Sequence, residues 1–366
     1  MFAISLLLLT AMPMAPAQES EAPPSLPAVD SKEVAESHAA YTEWCAAAVE
    51  RKVIPFYLTY EVAAYISMSE GPDDIFGVEG DLTAEGNLGF RSGEELQHSV
   101  WIKMDAREEG SGAFDLDLLM DGKKMSVYVQ SDFLPMVENG YRVEVEQDVL
   151  ETVYQTYLDL GSDFLSALAE EGDAEAESTR LIFDAADGYF APDFVSFFHP
   201  TIYWNTSNPY LICRSFHKKD DLVEAVFTLD TGEDSVLLAM VQMFIAEEMG
   251  GEQAEEEVDA IMEMVHSFIE RNPVSMSFDA HSGIPLAVDF DWSFRGREYG
   301  LEEDYDFQLR ANYRATLQTP KDPNLVHFHP QPEAEGFMDA TPFVHMFLSE
   351  LQGLVDSAEA EDDMDF

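Results

Sequence analysis

Apolar and polar residues alternate along several segments of the chain, and this period of two predicts β-strands. The segment PFYLTYEVAAYI begins the series, with an apolar residue at every second position: Phe56, Leu58, Tyr60 and Val62. Short strands are predicted around residues 82–90 and 99–105, and a strand pair within 210–229. Strands of this kind have one dry side and one wet side, which is typical of an antiparallel sheet.

Two turn signals predict β-hairpins. Asp121-Gly122 separates two alternating runs, and a tight turn of this type needs a residue with positive φ. Ser282-Gly283 separates a second pair of runs, and residues 305–314 alternate in the same way. The alternation predicts these inward-facing residues, which are also the candidate lining of a ligand cavity: Phe56, Leu58, Tyr60, Phe114, Leu116, Leu118, Val288, Phe290 and Trp292.

Helical spacing replaces the alternation elsewhere. Ser31 is a predicted N-cap for an Ala- and Glu-rich helix that ends near Lys52. Further helices are predicted within residues 147–200 and 233–271, and an amphipathic helix begins at Thr341. Strands, then helices, then strands without regular βαβ alternation predict an α+β fold with a largely antiparallel sheet. The intervening helices carry several methionines, which we interpret as core filling or, if the helices close over the sheet, as cavity lining: Met240, Met243, Met249, Met262 and Met264.

The first residues have the pattern of an export signal. An apolar run from Phe2 to Met12 is followed by Ala15 and Ala17, which predicts cleavage after Ala17; a buried N-terminal strand is the alternative. The run is too short to span a bilayer. We therefore expect a signal peptide (1–17), a Pro-rich linker (18–31), a single α+β domain (32–355), an acidic tail (356–366) and a periplasmic or secreted location.

The charge of the chain limits its partners. The sequence contains 72 Asp and Glu against 19 Lys and Arg, a formal net charge of -53. Nucleic acid and anionic membranes bind proteins through Lys and Arg that neutralise phosphates, so both are excluded as partners. A hydrophobic share of 46% is ample for a core, so the chain is not a disordered acidic segment.

Motifs for catalysis, metals and cofactors are missing from the sequence. No GxSxG, Walker, HExxH or complete EF-hand pattern occurs, so we predict no catalytic residue, no metal site and no cofactor. His327 and His329 would share one side of a strand, but no third ligand is identifiable, and a strand end before Pro330 is the simpler interpretation. Cys45 and Cys213 are the only cysteines; a disulfide and two buried thiols are equally consistent with the sequence.

The order of elements and two short motifs resemble the periplasmic lipoprotein-carrier family. The hairpin from Asp121 to Val129 is similar to that family's DGK hairpin, and the segment from Asp279 to Asp289 to its D..TG.P turn. The resemblance covers most of residues 32–317. It implies a half-open antiparallel barrel, a curved sheet with helices packed on or over its concave face, and binding of apolar ligands.

Three functions are therefore considered. The first is an exported protein that binds a lipid or acyl chain as carrier or receptor, in a cavity enclosed by amphipathic strands and helices. The second is a secreted structural or interaction protein, which would have a fully packed core. The third is an unrecognised extracytoplasmic hydrolase, which would have a polar cleft with two or three convergent titratable groups.

Overall fold

A computed structural model describes most of the predicted sheet. It covers residues 31–49, 54–70, 78–92, 95–106, 110–133, 139–146, 149, 211–230, 267–268, 271–295 and 305–346. The predicted signal peptide, almost all of the linker, the acidic tail and the methionine-bearing segments lie outside these residues. The described residues are mostly strands, with one long helix, α1 (Lys32–Val49).

In the described part of the chain, twelve strands form one sheet. In chain order they are β1 (Phe56–Glu70), β2 (Val78–Ser92), β3 (Glu95–Ala106), β4 (Gly110–Asp121), β5 (Lys124–Ser131), β6 (Tyr141–Glu146), β7 (Leu211–Lys219), β8 (Leu222–Leu229), β9 (Val274–Asp279), β10 (Pro285–Arg295), β11 (Tyr305–Gln318) and β12 (Met338–Asp339). Their order across the sheet is β12-β6-β5-β4-β3-β2-β1-β11-β10-β9-β8-β7. The sheet is open across the described part of the chain, with β12 and β7 at its edges.

Two antiparallel meanders meet in the middle of this sheet. Strands β1 to β6 form one meander and β7 to β11 the other, and β1 pairs with β11 along its length, from Tyr57 opposite Gln318 to Glu70 opposite Tyr305. Every neighbouring pair is antiparallel except the two-residue strand β12, which runs parallel to β6. The prediction of a largely antiparallel sheet is confirmed. Neither β6 nor β12 was predicted.

Both predicted hairpins are present. Gly122 has φ 61° between β4 and β5, and Gly283 has φ 76° between β9 and β10, which is the conformation that favours glycine. In the second turn the Asp279 carboxylate accepts hydrogen bonds from the Ser282 backbone N–H and hydroxyl, each at 2.6 Å. The turn residues therefore set the register of both hairpins locally.

Helix α1 begins where the sequence predicts and packs on one side of the sheet. The Ser31 hydroxyl accepts the N–H of Val34 at 3.3 Å, the contact of an N-cap. Tyr41 lies edge-on to Phe227 of β8, with ring centroids 4.9 Å apart. Trp44 packs against Phe278 of β9, with ring centroids 5.4 Å apart. No helix in the described ranges is both long and apolar enough to cross a bilayer.

The two faces of the sheet differ in character. The apolar face carries residues such as Leu58, Val62 and Phe290, and the polar face carries Thr59 and Asp289. Residues directly opposite each other in the register share a face, so each face continues from strand to strand. Helix α1 lies on the apolar face.

A C-terminal strap (residues 322–340) crosses the polar face after β11. Arg91 donates to the carbonyl of Val326 at 2.8 Å and stacks 4.0 Å from the ring of Phe328. Gln97 binds both backbone groups of His329, with Nε2 donating to its carbonyl at 2.9 Å and Oε1 accepting its N–H at 2.6 Å. The strap contains no strand at residues 326–330, so the interpretation of a strand end before Pro330 is wrong. The side chains of Arg91 and Gln97 hold this segment on the sheet, in place of the backbone hydrogen bonds that would join two strands.

Candidate ligand-binding face

The register places all nine predicted lining residues on the apolar face. Leu58 lies opposite Leu88, Leu88 opposite His98, and His98 opposite Leu118. Equivalent rows connect the remaining residues of the nine: Phe56, Tyr60, Phe114, Leu116, Val288, Phe290 and Trp292. A shared face is what the alternation predicts; a role in ligand binding stays a prediction.

One end of the apolar face is closed by a tightly packed cluster. Phe56 and Leu96 are 0% exposed, and so is Ile284 from the β9–β10 turn, which packs against them. Burying a side chain of this size is worth about 1.5–3 kcal/mol. Leu58 and Leu118 belong to the same cluster. These predicted lining residues are therefore core residues at the sealed end, and a ligand would not contact them without unpacking the cluster.

The other end of the apolar face is more open. Ile66 and Met68, near the far end of β1, are 40% and 49% exposed. Leu116, Phe114 and Phe290, in the rows between the two ends, are half-buried. Phe56 and Ile66 are ten residues apart on one strand, roughly 33 Å at the usual rise. The face therefore changes along the strands from a sealed core to accessible apolar side chains.

Helix α1 borders this face on the side of β7 to β10. Val288, Phe290 and Trp292 pack against the cluster that contains Tyr41 and Trp44 of the helix. Phe290 and Trp292 are in direct ring contact, with centroids 4.9 Å apart. Three of the predicted lining residues thus form an aromatic and aliphatic wall next to α1.

A hydrogen-bonded pair interrupts the apolar face near its sealed end. Tyr60 Oη and His98 Nε2 are 2.6 Å apart. Burial lowers the pKa of His98 to about 4, against the opposing pull of the Asp117 carboxylate, and burial also raises the pKa of Tyr60. Gly86 makes room for this pair, because a Cβ there would overlap the Tyr60 ring. Both side chains are therefore uncharged at neutral pH. Each is the hydrogen-bond partner of the other.

Two indoles, Trp44 of α1 and Trp292 of β10, differ in their hydrogen bonding. Trp44 Nε1 donates to the carbonyl of Ala280 at 3.4 Å. Trp292 Nε1 is also inaccessible to solvent, but it has no acceptor among the described residues. Trp292 therefore keeps a buried donor that no described residue of the apolar face accepts.

The polar face carries a separate open cleft of about 480 Å³. Its rim includes Glu61, Glu85, Trp101, Asp115 and Arg314. Glu85 lies directly opposite both Glu61 and Trp101, and Trp101 lies opposite Asp115. Three carboxylates and one indole therefore form a row across four strands. This cleft has the polar character and titratable groups that the hydrolase hypothesis requires.

One carboxylate of the cleft has a perturbed pKa. Burial raises the pKa of Asp115, and the charge of nearby Asp117 adds to the effect. Asp117 itself is buried under the strap, where it accepts hydrogen bonds from Ser99 and, at 3.0 Å, from Gln331. Asp117 therefore anchors the strap, whereas Asp115 lies in the cleft.

The histidines of the strap do not form a metal site with other described residues. His329 Nε2 lies 2.6 Å from the hydroxyl of Tyr57, and His327 is exposed. No group of three His, Cys, Asp or Glu side chains suited to a metal ion occurs among the residues that the structure covers. His329 has a structural partner in the polar face.

The fold brings the two cysteines into one cluster. Cys45 of α1 and Cys213 of β7 are both buried, and the structure holds them as thiols. Burial raises the pKa of Cys45 to about 11 and that of Cys213 to about 12, so neither is a reactive thiolate at neutral pH. A disulfide between them stays a prediction.

Sequence reasoning placed Tyr313 on the apolar side of its strand without naming it as a lining residue, and it missed His98. Tyr313 lies beside Tyr60, with ring centroids 5.9 Å apart. His98 falls in the alternation of Leu96 and Val100, which was a usable signal for its side of the strand. Its pairing with Tyr60 had no signal in the sequence, since the two residues lie on different strands.

Comparisons with known proteins return weak structural similarities. No family model and no curated protein match the chain. Among solved structures, the chain is similar to a β-barrel-like protein of the domain of unknown function DUF1849 from Brucella abortus, at 9% identity and a TM-score of 0.22, covering 74% of this chain and 99% of that one. It is also similar to a LolA superfamily protein from Nitrosomonas europaea, at 9% identity and a TM-score of 0.16, covering 80% and 98%. At TM-scores this low, the fold rests on the strand register described above.

Proposed function

We propose that the protein binds a lipid or acyl chain on the apolar face of its sheet and acts as an exported carrier or receptor. In this proposal the sheet is a half-barrel, helices cover its concave face, and residues 32–355 form one domain. The gradient of burial along the apolar face carries the proposal. Phe56 is fully buried at one end, whereas Met68 is 49% exposed at the other.

This gradient is suited to a ligand that enters from one side. A protein whose apolar face serves only as its core is more stable when that face is sealed, because each buried CH2 contributes about 0.8 kcal/mol. Side chains left half-buried, such as Leu116 and Phe290, instead offer apolar surface to a partner. Micromolar affinity corresponds to about 8 kcal/mol, so contact with about ten CH2 groups would supply it before the costs of association.

The test is retention of lipid by the purified protein. We expect native mass spectrometry with lipid extraction to detect an acyl lipid, and the protein to bind a fluorescent fatty acid that unlabelled fatty acid displaces. Leu116→Glu should abolish this binding, because it places a charge on the half-buried part of the apolar face. Ser111→Glu is the matched control, since it adds the same charge to an exposed position of the same strand. Equal binding by both variants, or no binding by the native chain, would refute the proposal.

Export forms the second part of the proposal. It is motivated by the apolar run that precedes Ala17. N-terminal sequencing of protein from its native host should find a chain that begins at Gln18 in an extracytoplasmic fraction. A cytoplasmic protein that retains Met1 would contradict it.

The cleft on the polar face favours the hydrolase as a second candidate. The observation that favours it is the row of carboxylates in the cleft, from Glu61, Glu85 and Asp115. A screen of chromogenic esters and glycosides should detect turnover that Glu85→Gln removes if this candidate holds. Absent turnover eliminates this candidate, and turnover that is insensitive to Glu85→Gln excludes this row of carboxylates as the catalytic site.

A further inference from the structure

The indole N–H of Trp292 is a buried donor without an acceptor. Its Nε1 atom is inaccessible to solvent and makes no hydrogen bond to any residue that the structure describes. Leaving a donor unpaired away from water is unfavourable, and buried indole N–H groups usually find a partner. A protein that keeps such a group at a candidate ligand-binding surface has a donor available for a ligand oxygen.

The location of Trp292 relates it to the open end of the apolar face. Trp292 lies opposite Leu309, and Leu309 lies opposite Ile66, so the three form one cross-strand row. Ile66 is 40% exposed. The unpaired donor therefore lies at the level where an apolar ligand would enter and not beside the sealed cluster.

The indole is held in place by its surroundings. Phe268 contacts it edge-on, with ring centroids 6.2 Å apart. Asn272, which is buried, donates to the carbonyl of Phe268 at 2.7 Å and accepts the N–H of Ser293 at 3.1 Å. This amide ties the Phe268 segment to β10 directly beside Trp292. Trp292 is thus pre-organised by its neighbours, and the ligand is left to provide the missing acceptor.

We infer that Trp292 donates a hydrogen bond from Nε1 to a carbonyl oxygen of the bound ligand, which makes the ligand an acyl ester and not a plain hydrocarbon. The inference rests on the proposed function and names the ligand class for that same face. An ester suits the position because its oxygen accepts a hydrogen bond without adding a negative charge to a chain of net charge -53.

The experiment compares two neutral probes of similar length, methyl laurate and pentadecane. Each displaces the neutral dye N-phenyl-1-naphthylamine from the full chain, and the ratio of the two affinities is measured in the native protein and in Trp292→Phe. We expect the ratio to shift about tenfold against methyl laurate in the variant, the usual worth of one hydrogen bond to a donor that is otherwise unpaired. Any change in pocket size affects both probes, so the ratio isolates the oxygen contact.

Trp44→Phe is the matched control. Trp44 belongs to the same cluster, but its N–H already donates to Ala280. We expect this variant to lose thermal stability and to keep the native ratio. If both probes bind and Trp292→Phe leaves their ratio unchanged, the inference fails while the proposed function stands. If neither probe displaces the dye from the native chain, the proposed function fails and the inference with it.

Discussion

The Tyr60–His98 pair should make folding stability depend on pH in a way that one substitution reveals. Burial lowers the pKa of His98 from 6.5 to about 4 in the folded protein. Between these two values the unfolded chain binds a proton at His98 that the folded chain excludes. The contribution of neutral His98 is therefore complete above pH 6.5 and is lost as the pH falls towards 4.

The magnitude follows from the size of the shift. One unit of pKa difference corresponds to about 1.4 kcal/mol, so the full effect is at most about 3.5 kcal/mol. The isoelectric point near 4.1 limits solubility at the acid end, so pH 5 is a practical lower limit. At pH 5 about 2 kcal/mol should be lost, which denaturant unfolding resolves.

The assay is urea unfolding of the native chain and of His98→Gln from pH 7.5 to 5 at high salt. Glutamine keeps a polar partner for Tyr60 but does not titrate. The difference in unfolding free energy between the two proteins should be constant near pH 7.5 and fall by about 2 kcal/mol at pH 5. The carboxylates are common to both proteins, so their titration cancels in this difference.

His281→Gln provides the control. His281 is exposed, whereas His98 is buried, so the two substitutions compare a surface histidine with a core one. The difference in unfolding free energy between the native chain and this variant should show no comparable fall towards pH 5, because both proteins retain His98. Curves for the native chain and His98→Gln that stay parallel over the whole range would refute the reasoning, because they would mean that folding does not exclude the proton.

Three further predictions concern packing, the strap and the thiols. Gly86→Ala should destabilise the fold by about 1–3 kcal/mol in urea unfolding, because the new methyl group overlaps the Tyr60 ring; the same change in a Tyr60→Ala background should cost much less, and an equal cost would contradict the packing argument. Gln97→Ala should speed hydrogen exchange and proteolysis within the C-terminal strap, since it removes both hydrogen bonds to that segment at a cost of about 1–2 kcal/mol, and unchanged protection would contradict this role. Cys45 and Cys213 should react slowly with a thiol reagent in the folded protein and quickly in denaturant without reductant, and a count of zero thiols after unfolding would instead establish the disulfide.

The sequence determined which side of each strand is dry. Alternation in β1, β4 and β10 placed Phe56, Leu116 and Phe290 on one face, because successive residues of a strand point to opposite sides whatever the partner strand is. The hairpins were also determined locally, since Gly122 and Gly283 are small residues at positions that need positive φ. The N-cap at Ser31 is local in the same sense.

Only the tertiary structure decided which strands meet and which side chains remain accessible. The pairing of β1 with β11 joins distant parts of the chain, and alternation is the same for any partner that offers an apolar side. This pairing and the pairing of strands within each meander bring Tyr60 to His98 and seal the cluster around Phe56. They also leave the N–H of Trp292 without an acceptor among the described residues. Burial and hydrogen bonding of a side chain depend on every element packed around it, so a period of two predicts the face of a residue but not how far that face is closed.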